Sequence, residues 1–333
     1  MPHELSALSR RRFLGLAGAA SVALLGGCGR ETSANPSAAT GSAVEAMTIS
    51  TCVYAKNHAS SPLFWQQFAP EGVTVEVTPI ASSAEVQSGL ESGQFDAGLM
   101  GVYNTITAGS ETITSKLIGM VSRQGLGLIG RTGEVEDVAS LRGKKVAVPP
   151  PGVQVLVLTQ MLETAGLELG RDVTAIPLGY ADHPTALERG DVQAYIGTEP
   201  LCTQSVISGV GVRVPGAYDT PLGDFNTGLW ASSTALQDPD KTRLIAQMNK
   251  AAAEHLTPDG ENAPEVWREL LVTQFGYDER VYENVLDNVG AEWRFDDERR
   301  AQFEGAGRVL LEQGTIAAEP DYERFYAPEY WDV

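Results

Sequence analysis

Leu90-Glu91-Ser92-Gly93-Gln94-Phe95-Asp96-Ala97-Gly98-Leu99 is answered further along the chain by Leu187-Glu188-Arg189-Gly190-Asp191-Val192-Gln193-Ala194-Tyr195-Ile196. Both stretches read Leu-Glu-x-Gly-x-apolar-x-Ala-x-apolar. Each is a helix end, a glycine suited to the left-handed position past it, and a buried strand. Each also falls at the same point of a longer pattern. Upstream of the first lie a strand over Thr48–Tyr54, a helix from Ser61-Pro62 to Phe68, an alternating strand Val73–Val77, and a helix that Ser82 or Ser83 can cap. Upstream of the second lie a strand over Lys144–Val148, a helix from Gly152 to Ala165, a strand over Val173–Leu178, and a helix that Asp182 can cap. Two β-α-β-α-β series predict two α/β lobes of like construction, each a mixed, mostly parallel sheet flanked by helices.

After the second series Glu199-Pro200 starts another helix. Phe225–Ser232 then reads as a strand, and Thr234 as the cap of a long helix from Leu236 to Leu256, with further helices to Gln313. The chain thus leaves the first lobe, builds the second and returns. The expected crossings are Arg131–Glu134 and Tyr218–Asp224, which gives residues 47–132 plus 222–333 to lobe 1 and 133–221 to lobe 2. Two strand-like crossings are the layout of a clamshell that closes on a ligand.

The first residues are an address rather than fold. Ser9-Arg10-Arg11-Arg12-Phe13-Leu14 precedes the short apolar run Gly15–Leu24, and Leu25-Gly26-Gly27-Cys28 follows. The run is shorter than the ~20 residues of a stable span, so residues 1–27 read as a signal peptide of the twin-arginine type. Leu-Gly-Gly-Cys reads as a bacterial lipobox that makes Cys28 the lipidation site, and residues 28–46, rich in Ser, Ala, Thr and Gly, as a flexible tether. The expected location is the outer face of the cell membrane.

The 333 residues carry a formal net charge of −19, with 43% hydrophobic and 20% charged residues. That composition is globular, and the acidity excludes nucleic acid as a natural partner. Cys52 and Cys202 remain once Cys28 is assigned to lipid; a disulfide between them and two buried thiols both stay open. No P-loop, G-x-S-x-G or metal-ligand spacing is present, and the glycines of Gly125–Gly130 have no helix behind them. The chain is read as a non-enzyme, with no cofactor and no metal.

In open parallel sheets ligands bind beyond the carboxyl ends of the strands. That rule selects Asn57 and His58, Ser82 and Ser83, and Tyr103 and Asn104 from the first lobe. From the second it selects Gly152, Val153 and Gln154, Tyr180, Asp182 and Glu199. Backbone N–H groups at the helix starts favour an anion or a strong hydrogen-bond acceptor. Other uses compete at several positions. Ser82, Ser83 and Asp182 can serve as caps, Tyr103 and Tyr180 can pack at the lobe edge, and His58 can be structural. Glu199 can complement a helix dipole or accept from an amine.

Leu141-Arg142-Gly143-Lys144-Lys145-Val146-Ala147-Val148-Pro149 resembles the LKGKKVAVP stretch of the nitrate, sulfonate and taurine type of solute-binding proteins, a group that includes NMT1/THI5-like thiamine-precursor binders. Asp172-Val173, Leu178, Ala186–Ala194, Glu199-Pro200, Leu90–Ala97, Gly314-Thr315-Ile316 and Phe325–Tyr330 continue the resemblance in order. It implies a two-lobed periplasmic-binding-protein fold of the second type. It further implies a monomer that binds a small molecule and delivers it to an ABC permease and its ATPase. Oxyanion binders of this group often carry Pro-x-Gly-Ser after the Val-Pro strand. Here Gly152 is followed by Val153 and Gln154, which opens the ligand to neutral, zwitterionic or aromatic solutes. Two alternatives accompany the transport reading: a lipoprotein that senses a ligand or docks a partner, and a pyrimidine-precursor synthase of the same fold.

Overall fold

A computed structural model describes residues 46–333; the signal peptide, lipobox and tether readings over residues 1–45 lie outside the described residues. The first lobe opens with β1 (Met47–Tyr54), a tight helical turn at Ser61–Phe64 continuing into α1 (Trp65–Phe68), and β2 (Val73–Ile80), parallel to β1. Next come α2 (Ser83–Glu91), β3 (Ala97–Gly101), α3 (Val102–Ala108) and β4 (Lys116–Gln124). Ser82 is the N-cap of α2: its Oγ accepts from Glu85 N at 3.3 Å, while the Glu85 carboxylate accepts from Ala81 N and Ser82 Oγ, a reciprocal capping box.

The second lobe comprises β5 (Leu126–Arg131), β6 (Lys145–Val148), α4 (Val153–Thr164), β7 (Thr174–Pro177), α5 (His183–Arg189), β8 (Ala194–Thr198), α6 (Leu201–Ile207) and β9 (Gly211–Val214). The return adds β10 (Phe225–Ala231), α7 (Pro239–Leu256), α8 (Pro264–Arg268), α9 (Glu279–Val285), β11 (Val289–Ala291) and α10 (Asp297–Glu312). Among the described residues no helix is long and apolar enough to cross a membrane.

The second lobe holds a five-stranded sheet in the order β7-β6-β8-β5-β9, and the first a four-stranded sheet β11-β4-β10-β3 beside the β1-β2 pair. Both lobes are mixed α/β, with more antiparallel pairing than two βαβ series imply. The reason is the chain path: β5 returns between β8 and β9, and β10 returns between β3 and β4, each against its neighbours' direction.

Three local expectations change. Strand β5, which a boundary at 132 leaves in the first lobe, pairs with β8 and β9, so the first crossing is Gln124-Gly125 rather than Arg131–Glu134. Both residues have positive φ (58° and 83°), and an ideal Cβ at 125 would sit 1.8 Å from His58 Nε2, so only glycine fits there. The cap of α7 is Asp238, whose side chain accepts from Lys241 N, with Pro239 in the first turn; Thr234 precedes a separate short turn. Asp182 makes no side-chain cap bond to α5.

The second crossing runs from Pro215 to Asp224, and the two crossings are stitched together. Gln124 N donates to Asp224 O at 2.7 Å, Asn226 Nδ2 to Gln124 O, and the Tyr218 hydroxyl both accepts from Leu126 N (3.2 Å) and donates to Leu126 O (2.9 Å). Cys52 and Cys202 are buried free thiols. The core of the first lobe is closed by the C-terminal segment, where Phe303 meets Phe225, Trp230, Phe295 and Phe325 at ring separations of 5.9–6.3 Å.

Candidate functional site

The carboxyl ends of β1 and β3 and those of β6, β7 and β8 converge on a cavity of about 330 Å³. The first lobe contributes Tyr54, Asn57, Ser82, Ser83, Gly101 and Asn104. The second contributes Pro150 to Gln154, Gly179, Tyr180 and Thr198, and the return strand β10 adds Asn226 and Thr227. Helices α2 and α4 both begin at its wall. Their first N–H groups, those of Ser83, Ala84, Val153 and Gln154, have no intrahelical acceptor. Four such donors and two positive dipole ends make the wall suited to an anion.

The hydroxyls and amides of the wall are partly committed. Tyr54 Oη and Ser83 Oγ are 2.8 Å apart. Asn57 accepts from Ala59 N at 2.9 Å and donates to Thr198 Oγ1 at 3.2 Å, a bond from one lobe to the other. Thr198 in turn donates to Gly125 O at 3.1 Å, so the cavity wall is tied to the crossing. Asn226 accepts from Thr227 Oγ1 at 2.6 Å and donates to Gln124 O.

Of the positions selected from sequence, Asn57, Ser82, Ser83, Asn104, Gly152, Val153, Gln154 and Tyr180 line this cavity. Four do not. His58 is buried against Gly125 with the Glu199 backbone nearby, and among the described residues neither ring nitrogen has a partner in full hydrogen-bond geometry. Tyr103 lies on the outer side of α3, in a separate groove with Val155 and Thr159. Asp182 is exposed, at the far end of the short turn that Tyr180 begins. Glu199 is fully buried and turned away: its carboxylate takes Arg213 Nη2 and Thr203 N, the latter at 3.0 Å. A buried carboxylate needs such partners, and Arg213 on β9 supplies the charge.

Tyr54, Asn226 and Thr227 were not among the selected positions. Tyr54 is the last residue of β1, one step before the loop that the strand-end rule picks out. Thr227 lies opposite Gly101 in the antiparallel pairing of β10 with β3, so its side of β10 is the amino end. The available signal was a polar Asn-Thr pair inside an otherwise apolar strand.

No carboxylate, imidazole, thiol or amine lines the cavity among the described residues. Its titratable groups are two phenols. Burial pushes Tyr54 up to about 12, against the hydrogen bond from Ser83, and burial also raises Tyr180, helped by the nearby Tyr54. Both stay protonated donors at neutral pH. The wall can desolvate a solute and hydrogen-bond it; it holds no proton-transfer pair. Burial lowers the pKa of His58 to about 4, opposed by the Glu199 backbone, and that of His183 likewise to about 4, opposed by the Leu178 backbone and Asp182.

Residues 65–268 match the model of the NMT1-like family. A putative aliphatic sulfonates-binding protein of Bacillus subtilis is 28% identical over 234 residues, covering 68% of this chain and 67% of the relative. The periplasmic aliphatic sulphonate binding protein SsuA of Escherichia coli superposes with a TM-score of 0.69 at 17% identity, covering 84% of this chain and 92% of SsuA. The desulfurization enzyme DSZB shares the fold at a TM-score of 0.62 and 14% identity, over 86% of this chain and 97% of DSZB.

Proposed function

The chain belongs to the NMT1-like family, and from that premise we propose that it is the solute-binding component of an ABC import system. In this reading it is exported, held outside the membrane by a lipid on Cys28, and closes its lobes on a small organic oxyanion of the sulfonate class. It then presents that solute to a permease driven by an ATPase. The observation that carries the reading is the cavity itself: uncharged, walled by both lobes, and bordered by the free N–H groups of α2 and α4. An oxyanion there is held by dipoles and neutral donors rather than by a counter-ion. The volume, about 330 Å³, matches a small organic solute and is more than a bare nitrate fills. The lack of a nucleophile with an adjacent base in the wall favours binding over the synthase or desulfurization type of chemistry.

A thermal-shift screen of the purified protein tests this. Millimolar alkanesulfonates should raise the melting temperature as RT ln(1 + [L]/Kd), while nitrate and the pyrimidine precursor of thiamine should not. Replacing Tyr54 by Phe or Tyr180 by Ala should lower the shift. No shift with any sulfonate sinks the solute class; a shift with the pyrimidine alone reassigns it. Replacing Cys28 by Ser should move the protein from the membrane to the soluble fraction, and unchanged membrane association sinks the anchor.

A further inference from the structure

Four carboxamides line the cavity, and they divide into two kinds. Asn57 and Asn226 each have donor and acceptor occupied by the protein. Asn104 and Gln154 have neither: among the described residues no side-chain or backbone group bonds to their amides. Gln154 is 8% exposed and Asn104 half-buried, and both line the cavity. They stand on α3 of the first lobe and α4 of the second, helices that touch across the cleft. When a solute fills the cavity and displaces its water, an amide left unpaired bears the desolvation penalty of its N–H and its C=O, so a solute that answers both is favoured.

The charged neighbours cannot answer for it. Glu85 is taken by Ala81 N and Ser82, Glu199 by Arg213 and Thr203, and neither Asp182 nor Lys56 lines the cavity. A protonated amine on the solute donates only. It would satisfy the amide oxygens, leave the amide nitrogens unpaired, and bury a cation with no carboxylate near it. An alkyl end would leave both amides unpaired. A hydroxyl donates to one and accepts from the other.

We infer that the preferred solute carries, besides its oxyanion, an uncharged group that both donates and accepts hydrogen bonds, a hydroxyl in the smallest case, recognised by Asn104 and Gln154. This rests on the sulfonate-class reading above and states which members of that class the site favours. Titration calorimetry with 2-hydroxyethanesulfonate, ethanesulfonate and 2-aminoethanesulfonate tests it on three ligands of matched size. The hydroxy compound should bind about ten-fold more tightly than either of the others, the worth of one well-made hydrogen bond in a buried site. In Gln154→Met and, separately, Asn104→Leu, the ratio of hydroxy to ethane affinities should shrink to within about two-fold. Gln154→Glu should shift the preference toward the amino compound by supplying the missing carboxylate. Equal affinities for the hydroxy and ethane compounds in the parent, or tighter binding of the amino compound, overturn the inference while leaving the sulfonate class standing. If none of the three binds, the solute class itself has failed and the inference falls with it.

Discussion

At the helix-to-strand junction of the first lobe, Asp96 N donates to Ser50 O at 2.9 Å, and the Asp96 carboxylate accepts from Ser50 N at 2.8 Å. At the same junction of the second lobe, Gln193 N donates to Lys145 O at 2.9 Å, and the Gln193 side-chain oxygen accepts from Lys145 N at 3.1 Å. The carbonyls match too: Asp96 O takes Ser232 N at 2.9 Å, and Gln193 O takes Arg131 N at 2.8 Å. The echoed stretches therefore share a backbone connection, side-chain bridge included. What differs is charge. Asp96 needs a counter-ion and finds it in Lys241 at 2.6 Å, whereas Gln193 is neutral and donates to Gly190 O at 3.3 Å. Three positions past the apolar end of each echo the contrast reverses: Val102 is apolar, while its counterpart Glu199 is a buried carboxylate held by Arg213. At this junction the backbone frame is duplicated and the charges are not, so each lobe solves its own electrostatics.

The two junctions should respond most unequally to removal of the cation from each lobe. Arg213→Met leaves Glu199, fully buried, with only the Thr203 N–H, and should cost about 3 kcal/mol or more. Lys241→Met leaves Asp96 partly exposed and still bonded to Ser50, and should cost about 1 kcal/mol or less. Chemical denaturation of both variants measures the difference, and equal losses would show that the two charge arrangements are equivalent after all.

Protonation gives a second, intermediate test. His58 and His183, one from each lobe, are both held at about 4 by burial, below the ordinary 6.5. Above pH 6.5 both are neutral in folded and unfolded chains and contribute nothing to the pH dependence. As pH falls toward 4 the unfolded chain binds the extra protons, so stability is lost by up to about 1.4 kcal/mol per pH unit for each imidazole. The melting temperature should drop across that window, and less steeply in a His58→Gln, His183→Gln double variant. An unaltered slope in that variant would remove the imidazoles from the account.

Gly93 and Gly190 have φ of 73° and 76° at matching helix ends. A Cβ would meet Thr234 Oγ1 at 3.0 Å in one and the flexible end of Arg131 in the other, so the backbone conformation sets the cost. Ala at either should lose about 1 kcal/mol. Unequal losses would mean that the surroundings, not the shared helix end, decide.

Much of this was legible because it rests on local chemistry. The capping serine, the left-handed glycines and the alternation of apolar residues fix elements without reference to distant contacts. Strand-end loops then place Asn57, Ser83, Asn104, Gln154 and Tyr180 at the cavity. What escaped depends on pairing between distant segments. That β5 belongs to the second sheet is decided by its bonds to β8 and β9. That Asn226 and Thr227 reach the cavity is decided by the antiparallel direction of β10 beside β3. Glu199 stands where a ligand contact was expected, yet it faces inward because Arg213, fourteen residues later, waits on the neighbouring side.

The stitched crossing has a mechanical consequence. Two unconnected linkers would let the lobes bend, twist and slide. Here Gln124 N bonds Asp224 O, the Asn226 side chain bonds Gln124 O, and the Tyr218 phenol bonds Leu126 N and O. A ribbon of two bonded strands resists torsion far more than it resists flexing across its flat face. Under the lobe closure proposed above, this coupling predicts motion along essentially one soft coordinate, with the same alignment at every closure.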